Sequence, residues 1–265
     1  MPGADLKLLT DAAHQAGEIA LRFWRKSPRV WDKGDQGPVT EADIAVNDML
    51  FAQLRAARPA YGWLSEETPD AAARLDCEYV FILDPIDGTR GFIDGDSHFS
   101  HSLAVARRGQ VTAAVVFAPA LDQLYTATIN GPATCNRKMI QSSGRRDVDG
   151  ANLLTSKPNL AAEHWGGNPP LVKRAFRSSI AYRLALVAEG RFDGMLSLRP
   201  TWEWDIAAGA LIAERAGAVI SDRRGLPLQF NALDPRSDGI LCATRGLHAD
   251  LVNRLNAQDR PKAAL

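Results

Sequence analysis

Net charge is missing from this chain, and cysteine is scarce. Lysine plus arginine equals aspartate plus glutamate at 31 each over 265 residues. A balanced chain lacks the one-signed field that a general nucleic-acid or membrane-surface binder uses, although a local basic pocket stays possible. Only Cys77, Cys135 and Cys242 are present, far apart and odd in number. They offer neither the paired spacing of a zinc or redox site nor a disulfide framework, and they fit a reducing, cytoplasmic setting. No apolar run is long enough to span a bilayer, and the stretch from Met1 to Asp5 lacks the charged-then-apolar layout of a signal peptide. Internal repeats and low-complexity segments are also missing. What remains is a chain long enough to bury a large core, as one big domain or two closely joined ones.

Tyr79 to Leu83 is an unbroken run of apolar and aromatic residues, read as a buried strand that ends in Asp84. Pro85 lacks an N–H and should stop the strand there. Asp87 follows three residues after Asp84, then Gly88, which permits a tight turn, then Thr89. Two carboxylates this close repel unless a proton or cation intervenes. A hard, oxygen-seeking cation such as Mg²⁺ answers that repulsion, and free amides at Gly88 and Thr89 suit a phosphate. An Asx-turn after a core strand would use the same residues without chemistry.

The rest of the chain alternates helices and strands. Asp5 to Arg25 carries Leu8, Leu9, Ala12, Ala13, Ala16, Ile19, Ala20 and Phe23 at helical spacing. Lys33 to Pro38 is a glycine-rich turn. Thr40 then caps a second helix, with Asp43 in the capping-box position. Trp63 to Ser65 is a short strand ending in Glu66-Glu67. Ser102–Ala106, Val111–Phe117 and Leu124–Thr128 form an antiparallel meander. His98 and His101 lie at an odd offset. On a strand they would face opposite sides, so they are read as structural polar residues near the site's mouth. The polar segment from Gln141 to Gly150 is the best boundary. It divides an N-terminal α+β part, residues 1–145, from a C-terminal α/β part, residues 146–265. Ser179–Glu189 is a helix, Phe192–Leu198 a strand, and Thr201-Trp202-Glu203-Trp204-Asp205 opens another helix.

Four of these stretches, in order, resemble the inositol monophosphatase superfamily of Mg²⁺-dependent, lithium-sensitive phosphomonoesterases: Val39-Thr40 with Asp43, Glu66-Glu67, Asp84-Pro85-Ile86-Asp87-Gly88-Thr89, and Trp204-Asp205 before Ala207-Ala208-Gly209. The resemblance implies a layered αβαβα sandwich of the inositol monophosphatase and fructose-1,6-bisphosphatase type. It implies two or three Mg²⁺ ions held by Glu66, Asp84, Asp87, Asp205 and the Ile86 carbonyl. Catalysis is then assigned to Glu66, Asp43 and Thr89, with Asp43 orienting Thr89 as it helps to deprotonate the attacking water. The phosphate is assigned to Asp87 and the amides of Gly88 and Thr89. It also implies a homodimer acting on a small phosphorylated metabolite, with no nucleic-acid polymer or membrane as partner.

Thr89-Arg90-Gly91-Phe92, Ser178-Ser179 and Glu203-Trp204-Asp205 resemble the 3′(2′),5′-bisphosphate nucleotidase branch most, so hydrolysis of adenosine 3′,5′-bisphosphate to AMP is the expected activity. Phe176-Arg177 departs from that branch, where glycine commonly precedes the paired serines. Inositol 1-phosphate is the alternative substrate, and histidinol phosphate the next. A moonlighting, protein-binding role is the alternative of another class.

Overall fold

The computed structural model describes residues 2–34 and 37–256; Asp35 and Gln36 of the expected glycine-rich turn lie outside them. The chain opens with helix α1 (Pro2–Phe23). A small hairpin, β1 (Val30–Asp32) with β2 (Pro38–Thr40), leads directly into α2 (Glu41–Ala57). Strands β3 (Gly62–Ser65), β4 (Tyr79–Asp87), β5 (Ser100–Arg107), β6 (Gln110–Ala118), β7 (Gln123–Thr128), β8 (Thr134–Cys135) and β9 (Lys138–Met139) lie in sequence order in one seven-stranded sheet. Only the β3–β4 pair is parallel, and β4 to β7 are the expected antiparallel meander. A five-residue helix, α3 (Thr89–Ile93), sits between β4 and β5.

The second half contains β10 (Asn152–Leu154), β11 (Lys173–Ala175), α4 (Ile180–Ala188), β12 (Gly194–Ser197), β13 (Thr201–Trp202), α5 (Glu203–Arg215), β14 (Val219–Ser221), β15 (Arg236–Ser237), β16 (Ile240–Ala243) and α6 (Arg245–Asn256). Its main sheet runs β11-β10-β12-β16-β14, a mixed order.

Period-two alternation in the strands dictates the layering. On the large sheet Phe81, Leu83, Leu103, Val105, Ala113 and Val115 pack against Leu9, Ala13 and Ala16 of α1 and Val46 and Leu50 of α2. Their neighbours Val80, Ile82, Ala104, Ala106, Ala114 and Val116 face the other way, into a core shared with Leu184 and Leu186 of α4 and Ile212 of α5. Met195 and Cys242 of the second sheet close that core, while Leu196, Leu241 and Ala243 point outward to Leu247 and Leu251 of α6. The order helix pair, sheet, helix pair, sheet, helix is the αβαβα sandwich. Gly17 marks how closely α1 lies on the sheet, since a Cβ there would come within 2.6 Å of the Phe117 ring.

One strand boundary differs from expectation. β4 does not stop before Pro85 but runs on to Asp87 through a register shift. Asp84 pairs with Ser102 and Asp87 with Ser100, so Pro85 and Ile86 together oppose His101 alone. This is a β-bulge, and a proline in a bulge forfeits no ladder hydrogen bond. Ser100 and Ser102 share a face of β5, so the extra residue puts Asp84 and Asp87 on one face as well. On a regular strand, residues three apart would point to opposite sides. His101 turns its Nδ1 to the Pro85 carbonyl, fully buried, and His98 sits just before β5 with its Nδ1 2.5 Å from Asp96. Neither histidine meets the carboxylates in a hydrogen bond or ion pair other than that with Asp96.

Candidate active site

Three carboxylates converge from three parts of the chain. Glu66 follows β3, Asp84 lies in β4 before the bulge, and Asp205 is in the first turn of α5. One oxygen from each lies within 4.8 Å of the others. Asp84 is 2 % exposed. Burial, then the charges of Glu66, Asp87 and Asp205, hold its carboxyl well above the usual range. Asp205 is raised likewise, by burial and then by Asp87 and Glu66. Burial pushes Glu66 up to about 7, against the opposing pull of Lys33. Like charges crowded out of water are favourable only with a cation among them, and three carboxylate oxygens at this spacing are the donor set of a hard ion such as Mg²⁺.

Asp87 stands apart from that trio. Its Oδ2 accepts hydrogen bonds from Ser179 Oγ and the Ala181 amide, both at 2.6 Å, at the start of α4. These donors offset the burial that raises its pKa. The Ile86 carbonyl oxygen lies 3.0 Å from Thr89 Oγ1, one of two acceptors within reach of that hydroxyl's single hydrogen, and the Ile86 amide donates to Asp84 Oδ1 at 2.9 Å. Gly88 adopts φ 95°, a left-handed conformation open to glycine, and caps α3, with Thr89 as the helix's first residue.

Asp43 makes contacts on two sides. Its Oδ2 accepts from the Thr40 amide and hydroxyl, which completes the capping box of α2. Its Oδ1 lies 3.1 Å from Thr89 Oγ1. Burial raises its pKa to about 6. The cap and the contact with Thr89 thus use different oxygens of one carboxylate.

Several residues of the site carry little sequence signal. Lys33, whose sequence setting suggests only a turn, reaches back from the hairpin to Glu66 (3.0 Å) and Glu67 (2.7 Å). It is the ion-pair partner of both acids, and Glu67 meets Lys33 rather than the carboxylate trio. Arg183 is buried on α4, a helix whose other residues are all buried and, the Tyr182 hydroxyl aside, apolar; a lone arginine in such a helix is the available clue. Its pKa falls to about 10 through burial, opposed by the nearby charge of Asp87. Beside Glu66 opens a cavity of about 570 Å³, lined by Lys33, Thr68, Trp202, Trp204 and Leu233 among others. Trp202 and Trp204 stack there with ring centroids 4.4 Å apart.

Comparison with known proteins agrees with this geometry. The family model described as "Inositol monophosphatase family" matches residues 5–260. An inositol-1-monophosphatase of Mesorhizobium japonicum is 34 % identical over 235 residues, 83 % of this chain and 86 % of that protein. Nus factor SuhB of Escherichia coli is 32 % identical over 232 residues, 83 % and 85 % of the two chains. The crystal structure of extragenic suppressor protein suhB from Bartonella henselae superposes with a TM-score of 0.82 at 28 % identity, covering 95 % of this chain and 98 % of the other. The chain belongs to the inositol monophosphatase family and is a metal-dependent phosphoric monoester hydrolase.

Proposed function

We propose that this enzyme hydrolyses inositol 1-phosphate, with two or three Mg²⁺ ions held by Glu66, Asp84, Asp87, Asp205 and the Ile86 carbonyl. The observation that carries the reading is the convergence of Glu66, Asp84 and Asp205 beside a Thr89–Asp43 pair. Mg²⁺, when bound, supplies the positive charge that polarises the phosphate and acidifies water. The chain's own groups order the protons. With the Ile86 carbonyl given over to the metal, Thr89 would donate its single hydroxyl hydrogen to Asp43, which leaves the oxygen's lone pairs free to accept from the attacking water. Glu66 lies at the same end of the site, and the amides of Gly88 and Thr89, with Asp87, meet the phosphate.

Inositol phosphate displaces the bisphosphate nucleotide as the first reading, because the relatives reported above carry the names inositol-1-monophosphatase and SuhB. Arg90, one of the residues that suggested the nucleotidase branch, is exposed on α3 and has no bond to the carboxylates. Side-by-side turnover of inositol 1-phosphate, adenosine 3′,5′-bisphosphate and histidinol phosphate by the purified protein tests the choice. The highest kcat/KM belongs to inositol 1-phosphate if the reading holds; a higher value for either other ester overturns it. Inhibition by Li⁺, a homodimeric state and a cytoplasmic location belong to the same reading. A SuhB-like role apart from catalysis would show as a cellular phenotype that survives Asp205→Asn.

A further inference from the structure

Arg183 is 6 % exposed and forms no ion pair with a carboxylate among the described residues. Its guanidinium turns back over the start of its own helix. Nε donates to the Arg177 carbonyl at 2.6 Å and Nη2 to the Ser178 carbonyl at 3.1 Å. Phe176 covers the guanidinium plane, with its ring centroid 4.2 Å from Cζ. The same turn is tied from the other side by the His98 carbonyl, which accepts from Ser178 Oγ at 3.0 Å and from the Ser179 amide at 3.3 Å. Ser179 is what the two restraints deliver. Its hydroxyl reaches Asp87 Oδ2, and it caps α4 by accepting from the Tyr182 amide at 2.8 Å. The Ala181 amide then meets the same aspartate oxygen.

We propose that Arg183 is a positioning residue for the metal centre: by bridging the carbonyls of Arg177 and Ser178 it fixes the turn that makes Ser179 and the Ala181 amide hold Asp87 in its ligating orientation. The inference rests on Asp87 being a Mg²⁺ ligand. Partners that orient a ligand typically change metal affinity or activity about 10–100-fold when removed. Charge alone predicts the opposite sign, since a buried cation near Asp87 and Asp205 repels Mg²⁺ and its removal would tighten binding. The direction of the change therefore separates positioning from simple neutralisation.

The test is calorimetric titration with Mg²⁺, without substrate, of the wild type, Asp87→Asn, Arg183→Met and Arg183→Lys, alongside hydrogen exchange across residues 176–181. Arg183→Met is expected to weaken Mg²⁺ binding about 10–100-fold, with faster exchange at Ser179 to Ala181. Arg183→Lys keeps the charge but not the planar fork that serves two carbonyls, so it should lose a similar amount. If the Met variant does not fold, the Lys variant carries the test. Unchanged or tighter Mg²⁺ binding in the Met variant, or wild-type affinity in the Lys variant, overturns the proposal. Wild-type Mg²⁺ affinity in Asp87→Asn also overturns it, by removing Asp87 from the ligand set. That result leaves the phosphatase reading built on Glu66, Asp84 and Asp205 intact.

Discussion

At the scale of single residues, Asp84 and Asp43 differ in what their oxygens can reach. Asp84 faces two other carboxylates, whereas both oxygens of Asp43 are already occupied, one by Thr40 and one by Thr89. Asp84→Asn should therefore lose Mg²⁺ affinity and activity together. Asp43→Asn should leave Mg²⁺ binding nearly intact and lower kcat, by about 10²–10⁴-fold if it works through proton transfer at Thr89. Thr89→Ala should match it, and the double variant should cost little more than either alone, because the pair acts as a unit. Calorimetry beside steady-state kinetics checks this, and equal loss of Mg²⁺ affinity in both aspartate variants would move Asp43 into the metal shell.

His101 gives a stability prediction of defined sign. Burial depresses its pKa from 6.5 to about 4, and Nε2 has no hydrogen-bond partner in the structure. The unfolded chain binds the proton first as pH falls, so the contribution of His101 to stability is lost between pH 6.5 and 4 and not above that window. The full difference is about 3 kcal/mol. The buried acids raised in pKa change stability in the opposite direction over the same range. The check is therefore the difference in urea stability between His101→Gln and the wild type, which should move in the variant's favour as pH falls from 6.5 to 4; a difference constant with pH would contradict it.

At the scale of elements, how well the sequence predicts the structure depends on how local the cause is. α2 is legible because Thr40 and Asp43 form its cap from neighbouring residues. Thr40→Ala should cost about 1–2 kcal/mol of stability in denaturant unfolding. A loss near zero would mean that packing of Val46, Leu50 and Leu54 alone sets where α2 begins. The β4 bulge is not legible, since Pro85 alone argues for a stop. Its continuation depends on β5 supplying Ser100, His101 and Ser102 as partners. Nor is Lys33 legible, because its pairing with Glu66 and Glu67 spans more than thirty residues and is made by the fold. The sequence points to the three convergent carboxylates only through its resemblance to a family. Spacing by itself relates only Asp84 to Asp87, and these are the two that the bulge turns to one face.

At the scale of the whole molecule, the layers explain why the site lies where it does. β3 runs parallel to β4 and ends at Ser65, opposite Leu83, which sets Glu66 beside Asp84 at one edge of the large sheet. α5, sandwiched between the sheets, brings the start of its helix and Asp205 to the same edge, and α4 does so for the donors to Asp87. The repulsion among these acids is the central physical fact, and it makes the enzyme's activity conditional on a cation. The most direct measurement is phosphate release from inositol 1-phosphate by the purified protein, assayed with Mg²⁺, after exhaustive dialysis against EDTA, and after Mg²⁺ is returned. The account predicts activity, then its loss, then its recovery; full activity in EDTA would contradict it.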